Sequence, residues 1–156
     1  MLKPIQRTRS RRADGDFAIV ASRYNARYVD AMLRAARKCL ADAGAQNVLV
    51  VRVPGAYEIP VVAARLARAH APSRSAIICL GVILRGATTH AQNIVEAVSF
   101  ALSQIQVLHE TPIIHEVLLL ENEEQARERC LSRQHNRGTE AAQTALTMAS
   151  VMRTLP

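Results

Sequence analysis

Two rhythms of apolar residues alternate along this chain. Short, mostly apolar runs occupy residues 17–22, 48–53, 76–84 and 112–120, each the length of a strand. Between them the spacing is helical. Val29, Met32, Leu33, Ala36, Leu40 and Ala43 recur every three or four residues, with Arg34, Arg37 and Lys38 on the other face. Gly44 suits the end of that helix. Residues 59–69 read as a second helix, with Pro60 tolerated in its first turn. A long helix follows near 91–109. A helix over 121–131 opens on Glu121, Glu123 and Glu124, which favour the positive end of a helix dipole. Gly138 reads as a break, and 139–155 as a last helix with Ala142, Ala145, Leu146, Ala149 and Met152 on one stripe. Strands that are apolar on both faces and separated by helices imply a parallel sheet covered on each side. The expected fold is α/β, a three-layer α/β/α sandwich with a four-stranded parallel sheet.

Bulk composition narrows the class. A chain of 156 residues, 49% of them hydrophobic, is long enough for one domain with a real core. No apolar run approaches the ~20 residues that span a bilayer, and the N-terminus has no apolar signal core. No membrane partner is therefore expected, and the location reads as cytoplasmic. Cys39, Cys79 and Cys130 are far apart and form no CxxC, so they read as free thiols in a reducing compartment. Neither a disulfide framework nor a metal site is expected.

The net charge of +7 changes the picture less than it first suggests. Lys3, Arg7, Arg9, Arg11 and Arg12 carry five of those charges, and no acid precedes Asp14. That leaves +2 for the rest of the chain. The reading is a flexible basic tail over 1–14 ahead of a single domain over 15–156. Nucleic acid is expected to meet only the tail, and weakly, because aromatic residues make up just 3% of the chain and offer no stacking platform.

Chemistry gathers at the ends of the apolar runs, where parallel sheets collect ligands. The first run ends in SRYN (22–25), the second in VPGAYEIP (53–60), the third in RGATTH (85–90). The last of these places a glycine and two hydroxyls before a helix start, a setting for a phosphate against free backbone N–H groups. His90 adds a group that titrates near neutrality. An ordinary strand–helix turn is the competing reading of this motif taken alone. Tyr24 offers a flat face to a ring or packs under its own loop. Asn25 can pair donors and acceptors. Glu58 either complements a helix dipole or accepts from ligand hydroxyls. Arg129, Arg133 and Arg137 recur every fourth residue, as a solvated face or as a grip for phosphate.

Taken together and in order, SRYN, RVPGAYEIP, LGVILRGATTH and EQARERC…NRGTEAA resemble the lumazine synthase family over residues 17–152. The resemblance implies a flavodoxin-like sandwich assembled as a pentamer, or as an icosahedral capsid of pentamers, with riboflavin synthase as a further partner. It implies a transferase of riboflavin biosynthesis that uses no cofactor and no metal. The substrates would be 5-amino-6-(D-ribitylamino)uracil and 3,4-dihydroxy-2-butanone 4-phosphate, and the products 6,7-dimethyl-8-ribityllumazine, phosphate and water. By position, Tyr24 would stack on the pyrimidine. Asn25, Ala56, Tyr57 and Glu58 would hold the ribityl chain and the site wall. Backbone at Val82 and Ile83 would read the pyrimidine edge. Ala87 and Thr88 would bind phosphate beside Arg129, and His90 would shuttle protons. His115 and Arg137 would reach the pyrimidine from a neighbouring subunit, with Arg137 standing where the family has Lys.

This chain also departs from the family pattern. Ala91 follows the histidine where an aromatic is usual, and Asn93 stands where Tyr is common. PIIHEVLL puts His115 at an aromatic position, Glu116 at a glycine and Leu119 at a threonine. A charge at Glu116 inside a strand is costly unless paired. A catalytically weakened shell former and a flavin- or lumazine-binding relative are the alternatives. Retention of His90 and Arg129 favours the enzyme, since neither alternative needs both.

Overall fold

A computed structural model describes residues 3, 14–70 and 73–156. Four strands alternate with helices: β1 (Asp16–Ser22), α1 (Ala26–Asp42), β2 (Val48–Val53), α2 (Ile59–Arg68), β3 (Arg74–Leu84), α3 (His90–His109), β4 (Ile113–Leu120), α4 (Glu123–Cys130) and α5 (Arg137–Thr154). A single turn of 3₁₀ helix, Ala56–Glu58, leads into α2. All strand pairs are parallel, in the order β2-β1-β3-β4. The tail expected over 1–14 lies outside the described residues, Lys3 and Asp14 excepted.

The apolar runs follow from burial on both faces of the sheet. On one face Phe17, Ile19, Ala21, Ile78 and Leu80 pack with Val29, Met32, Ala36 and Leu40 of α1 and Ala142 and Ala145 of α5. On the other, Ala18, Val20, Ile77 and Cys79 pack with Ile59 and Ala63 of α2 and Val98 and Leu102 of α3. This is the α/β/α sandwich that the alternating pattern implies. Strand β4 is an edge, paired only with β3, and its side chains alternate between the layers: Ile114 joins the α1/α5 core, Val117 the α2/α3 core. Among the described residues no helix is long and apolar enough to cross a membrane.

One expectation needs correcting. Gly138 is not a break. It is the second residue of α5, and the interruption lies before it, between Cys130 and Arg137. A Cβ at Gly138 would overlap the carbonyl oxygen of Met32, so the glycine lets α5 press onto the backbone of α1. The obstruction is backbone, and no side-chain rotation relieves it. Gly138→Ala is expected to cost roughly 3 kcal/mol of folding stability, the upper part of the overpacking range. Denaturant titration checks this; an unchanged midpoint would mean that the two helices are free to separate.

Candidate active site

Because the sheet is parallel, the carboxyl ends of β1, β2 and β3 share one edge, and backbone bonds lace their loops together. Arg23 N–H donates to Val53 O at 2.8 Å and Tyr24 N–H to Pro54 O at 3.0 Å. Asn25 donates from Nδ2 to Val82 O at 2.7 Å, fixing the SRYN turn against the end of β3. Asn25 itself sits at φ 55°, in the left-handed region that Asn tolerates better than most residues. Half-buried Arg52 donates to the carbonyls of Ala21 and Ser22 at 3.2 and 3.0 Å. It also forms an ion pair with Asp30 at 2.7 Å. Sequence reasoning missed this brace, although Arg52 is the residue just before VPGAYEIP.

The laced loops enclose a cavity of about 850 Å³. Tyr24, Asn25, Ala56, Tyr57, Glu58, Val82, Ile83, Thr88 and His90 all line it. Three motifs far apart in sequence thus meet at one hollow. Gly55, Leu84, Gly86, Ala91, Asn93 and Ile94 line it too and were not foreseen as site residues. For His90, Ala91, Asn93 and Ile94 the signal was available: three- and four-residue steps on the first turn of a helix share a face.

Each wall has its own chemistry. Tyr24 is 74% exposed and Tyr57 65% exposed, so both rings are open to a ligand. Glu58 accepts the Gly55 N–H on Oε2 at 2.9 Å, which closes the turn and leaves its other carboxylate oxygen without a partner among the described residues. At the far wall, α3 begins at His90, and no side chain caps that end. A 20-residue helix therefore directs its unsatisfied N–H groups and positive dipole end at the loop over 86–89. The His90 imidazole is exposed and has no hydrogen-bonded partner among the described residues. Ala87 lies in this loop, exposed, but does not line the cavity. Arg85 turns away from the cavity. It bonds Glu121 at 2.9 Å and Gln92 at 3.1 Å, tying the loop to the β4–α4 connection.

His115, Arg129 and Arg137 are not brought to this cavity within one chain. They cluster around β4 and the two helices that follow it, and the four-residue recurrence of arginines is not one helical face. Arg129 is on α4, Arg133 in the connection, and Arg137 in the first turn of α5. His115 lies on the α3 side of β4. Its Nδ1 accepts the Val117 N–H at 3.1 Å, so that nitrogen carries no proton, and Nε2 therefore donates to Ser99 Oγ at 2.7 Å. Burial lowers the pKa of His115, consistent with a neutral ring.

Glu116, the costly charge in a strand, faces the other way and is paired. Arg137 donates to it from Nε at 3.0 Å and from Nη2 at 3.1 Å, a bidentate clasp, and reaches Glu140 from Nη1 at 2.7 Å. Burial pushes the Glu116 carboxyl up, and the Arg137 charge pulls it back down. Cys79 and Cys130 are buried, with thiol pKa values pushed up to about 12, so neither is a nucleophile at neutral pH. Among the described residues no group of three or more His, Cys, Asp or Glu is placed to hold a metal ion.

The sequence that builds this site has relatives among known proteins. Over 142 residues the chain is 41% identical to a 6,7-dimethyl-8-ribityllumazine synthase of Stenotrophomonas maltophilia (strain R551-3), covering 90% of each chain. It is 42% identical over 139 residues to the protein of that name from Mycobacterium avium (strain 104), covering 88% of this chain and 84% of the relative. For the one from Xanthomonas oryzae pv. oryzae (strain PXO99A) the identity is 39% over 142 residues, 90% of this chain and 91% of the relative. The family model described as 6,7-dimethyl-8-ribityllumazine synthase matches residues 14–153, so every strand, and every helix up to the last residue of α5, falls within the match. The chain belongs to the 6,7-dimethyl-8-ribityllumazine synthase family.

Proposed function

We propose that this chain is a working lumazine synthase, condensing 5-amino-6-(D-ribitylamino)uracil with 3,4-dihydroxy-2-butanone 4-phosphate and releasing phosphate and water. One observation carries the reading beyond family membership: a single cavity joins exposed aromatic rings, a carboxylate with an unspent oxygen, and a free imidazole at the positive end of a long helix. The rings suit a flat pyrimidine. Glu58 and Asn25 suit the hydroxyls of a ribityl chain, Asn25 through Oδ1, since its amide nitrogen is already bonded to Val82. Backbone at Val82 and Ile83 suits the pyrimidine edge. The 86–89 loop, with the amides of Ala87 and Thr88, suits the phosphate.

The chemistry then needs little beyond placement and proton transfer. The 5-amine of the pyrimidine adds to the ketone and one water leaves as the imine forms. Phosphate is then eliminated, and the ribitylamine nitrogen closes the ring on the remaining carbonyl with loss of a second water. His90 takes and returns the protons of these steps. The helix end and a guanidinium stabilise the departing phosphate.

One chain alone supplies only one wall. His115, Arg129 and Arg137, assigned to the site by the resemblance, lie around the edge strand β4 and away from the cavity. A neighbouring copy, in a pentamer or a capsid built from pentamers, brings them in. Large apolar side chains on the outer faces of α2 and α3 support such packing: Val61 is 70% exposed, Phe100 68%, Val107 74% and Leu108 76%.

The test is purified protein with both substrates and a chelator present. Growth of lumazine fluorescence with matching phosphate release is the expected result. Well-folded protein that gives no more product than the uncatalysed condensation would overturn the reading.

A further inference from the structure

We infer that Glu116, with Glu140, aims and neutralises Arg137, so that this guanidinium offers N–H donors to a neutral carbonyl and no net charge to a phosphate. The inference rests on the proposed reading, in which Arg137 meets the pyrimidine, and it adds two residues that act through Arg137 without touching substrate.

A guanidinium has five N–H groups. Three of those on Arg137 are used: Nε and Nη2 on the two oxygens of Glu116, and Nη1 on Glu140. Two remain, one on each terminal nitrogen. The bidentate clasp fixes the plane of the group, and the Glu140 bond fixes its rotation within that plane. The backbone below is fixed as well. Buried Asn136 donates to Cys130 O at 2.6 Å and accepts the Gly138 N–H at 2.9 Å, which locks the first turn of α5. The two unspent donors are therefore held in fixed positions.

Charge separates Arg137 from its neighbour Arg129. Arg137 stands at the N-terminal end of α5, where the helix dipole disfavours a cation. Two carboxylates within contact distance reverse that local field. Arg137 is thus in direct contact with two carboxylates, whereas half-buried Arg129 feels Glu116 only through space and has no hydrogen-bonded partner among the described residues. The two arginines are divided in character: Arg129 keeps its charge for a dianion, and Arg137 keeps geometry for a carbonyl. The Glu116 side chain is only 7% exposed, and a buried ion pair of this kind is often no better than a pair of neutral replacements, although each partner, once present, needs the other.

The experiment measures KM for each substrate, kcat and melting temperature in Glu116→Gln, Arg137→Met and the double variant. Glu116→Gln is expected to raise KM for the ribitylaminouracil about tenfold, the factor of one modest hydrogen bond. KM for the phosphorylated ketone should stay close to wild type. The melting temperature is expected to fall, because one partner of a buried pair is lost, and the kinetics are compared at a temperature where each variant is fully folded. In the Arg137→Met background, Glu116→Gln should add nothing to KM for the ribitylaminouracil, while it restores melting temperature by removing the unpaired charge. Glu140→Gln, at a more exposed carboxylate, should shift the same KM in the same direction and carries the comparison if Glu116→Gln folds poorly. A raised pyrimidine KM in Arg137→Met but not in either glutamine variant would overturn the inference. So would a parallel rise in both KM values, which signals general distortion. If Arg137→Met leaves the pyrimidine KM unchanged in an active enzyme, the role of Arg137 fails and the inference with it. Wild-type inactivity is the separate failure of the enzyme reading.

Discussion

Replacing His90 by Ala is expected to lower kcat about 10²–10⁴-fold, the usual loss on removing a positioned general acid–base. The structure makes this a clean experiment. His90 is exposed, it lines the cavity, and its ring has no hydrogen-bonded partner among the described residues. Truncating it removes no packing and orphans no buried group, so the melting temperature should not move. The backbone N–H groups at the start of α3 remain, and with them the phosphate site. KM for the phosphorylated ketone should therefore change little while turnover collapses. If His90→Ala kept near-normal turnover, the proton transfers would have to be assigned to another group.

Arg129→Ala is expected to fail in the opposite way. A charge-assisted hydrogen bond contributes ~1.5–3 kcal/mol, so KM for the phosphorylated ketone should rise by about 10- to 150-fold. KM for the ribitylaminouracil should be nearly unaffected. Arg129 suits this role because none of its donors has a hydrogen-bonded partner among the described residues, whereas Arg85 is bonded to Glu121 and Gln92 and three of the five Arg137 donors are held by carboxylates. Steady-state kinetics with each substrate varied in turn checks it. An unchanged ketone KM would remove Arg129 from the phosphate site.

Most of the fold was legible in the sequence because a sheet covered on both faces needs mostly apolar strands, even at its edges, where Arg52 and Glu116 interrupt them. The runs at 17–22 and 48–53 match or fall within β1 and β2. Helix ends were less legible, and Gly138 shows why. A glycine signals that a Cβ is not tolerated, but not whether the cause is a turn or a neighbouring backbone. Only the Met32 carbonyl of α1 explains it, and that contact spans more than a hundred residues of sequence. The cavity wall was legible for a related reason: in a parallel sheet, motifs that end successive strands must meet.

What the sequence hid is the commitment of polar groups to one another. Arg137 read as a free cation, and Glu116 as a charge in search of a partner. Their bidentate pairing joins the middle of a strand to the start of a helix, and no spacing rule connects those positions. Asn25 read as able to pair both donors and acceptors, yet its amide nitrogen is bonded to the end of β3. His115 and Glu116 are adjacent in sequence and face opposite layers, as strand alternation requires. Alternation is visible in a sequence; what waits on each side of the strand is not.

In the proposed oligomer the catalytic edge of one chain is completed by the β4–α4 wall of another. Refolding His90→Ala and Arg129→Ala together tests this most directly. Each variant alone has one damaged half in every site. In a mixed oligomer, some interfaces pair an intact His90 of one chain with an intact Arg129 of its neighbour. With the phosphorylated ketone held well below the KM of the Arg129→Ala variant, activity is expected to return to a sizeable fraction of wild type in the mixture, while each variant refolded alone stays low. Mixed oligomers confirmed by native mass spectrometry, with no return of activity, would contradict the shared site and place His90 and Arg129 in the same chain's site.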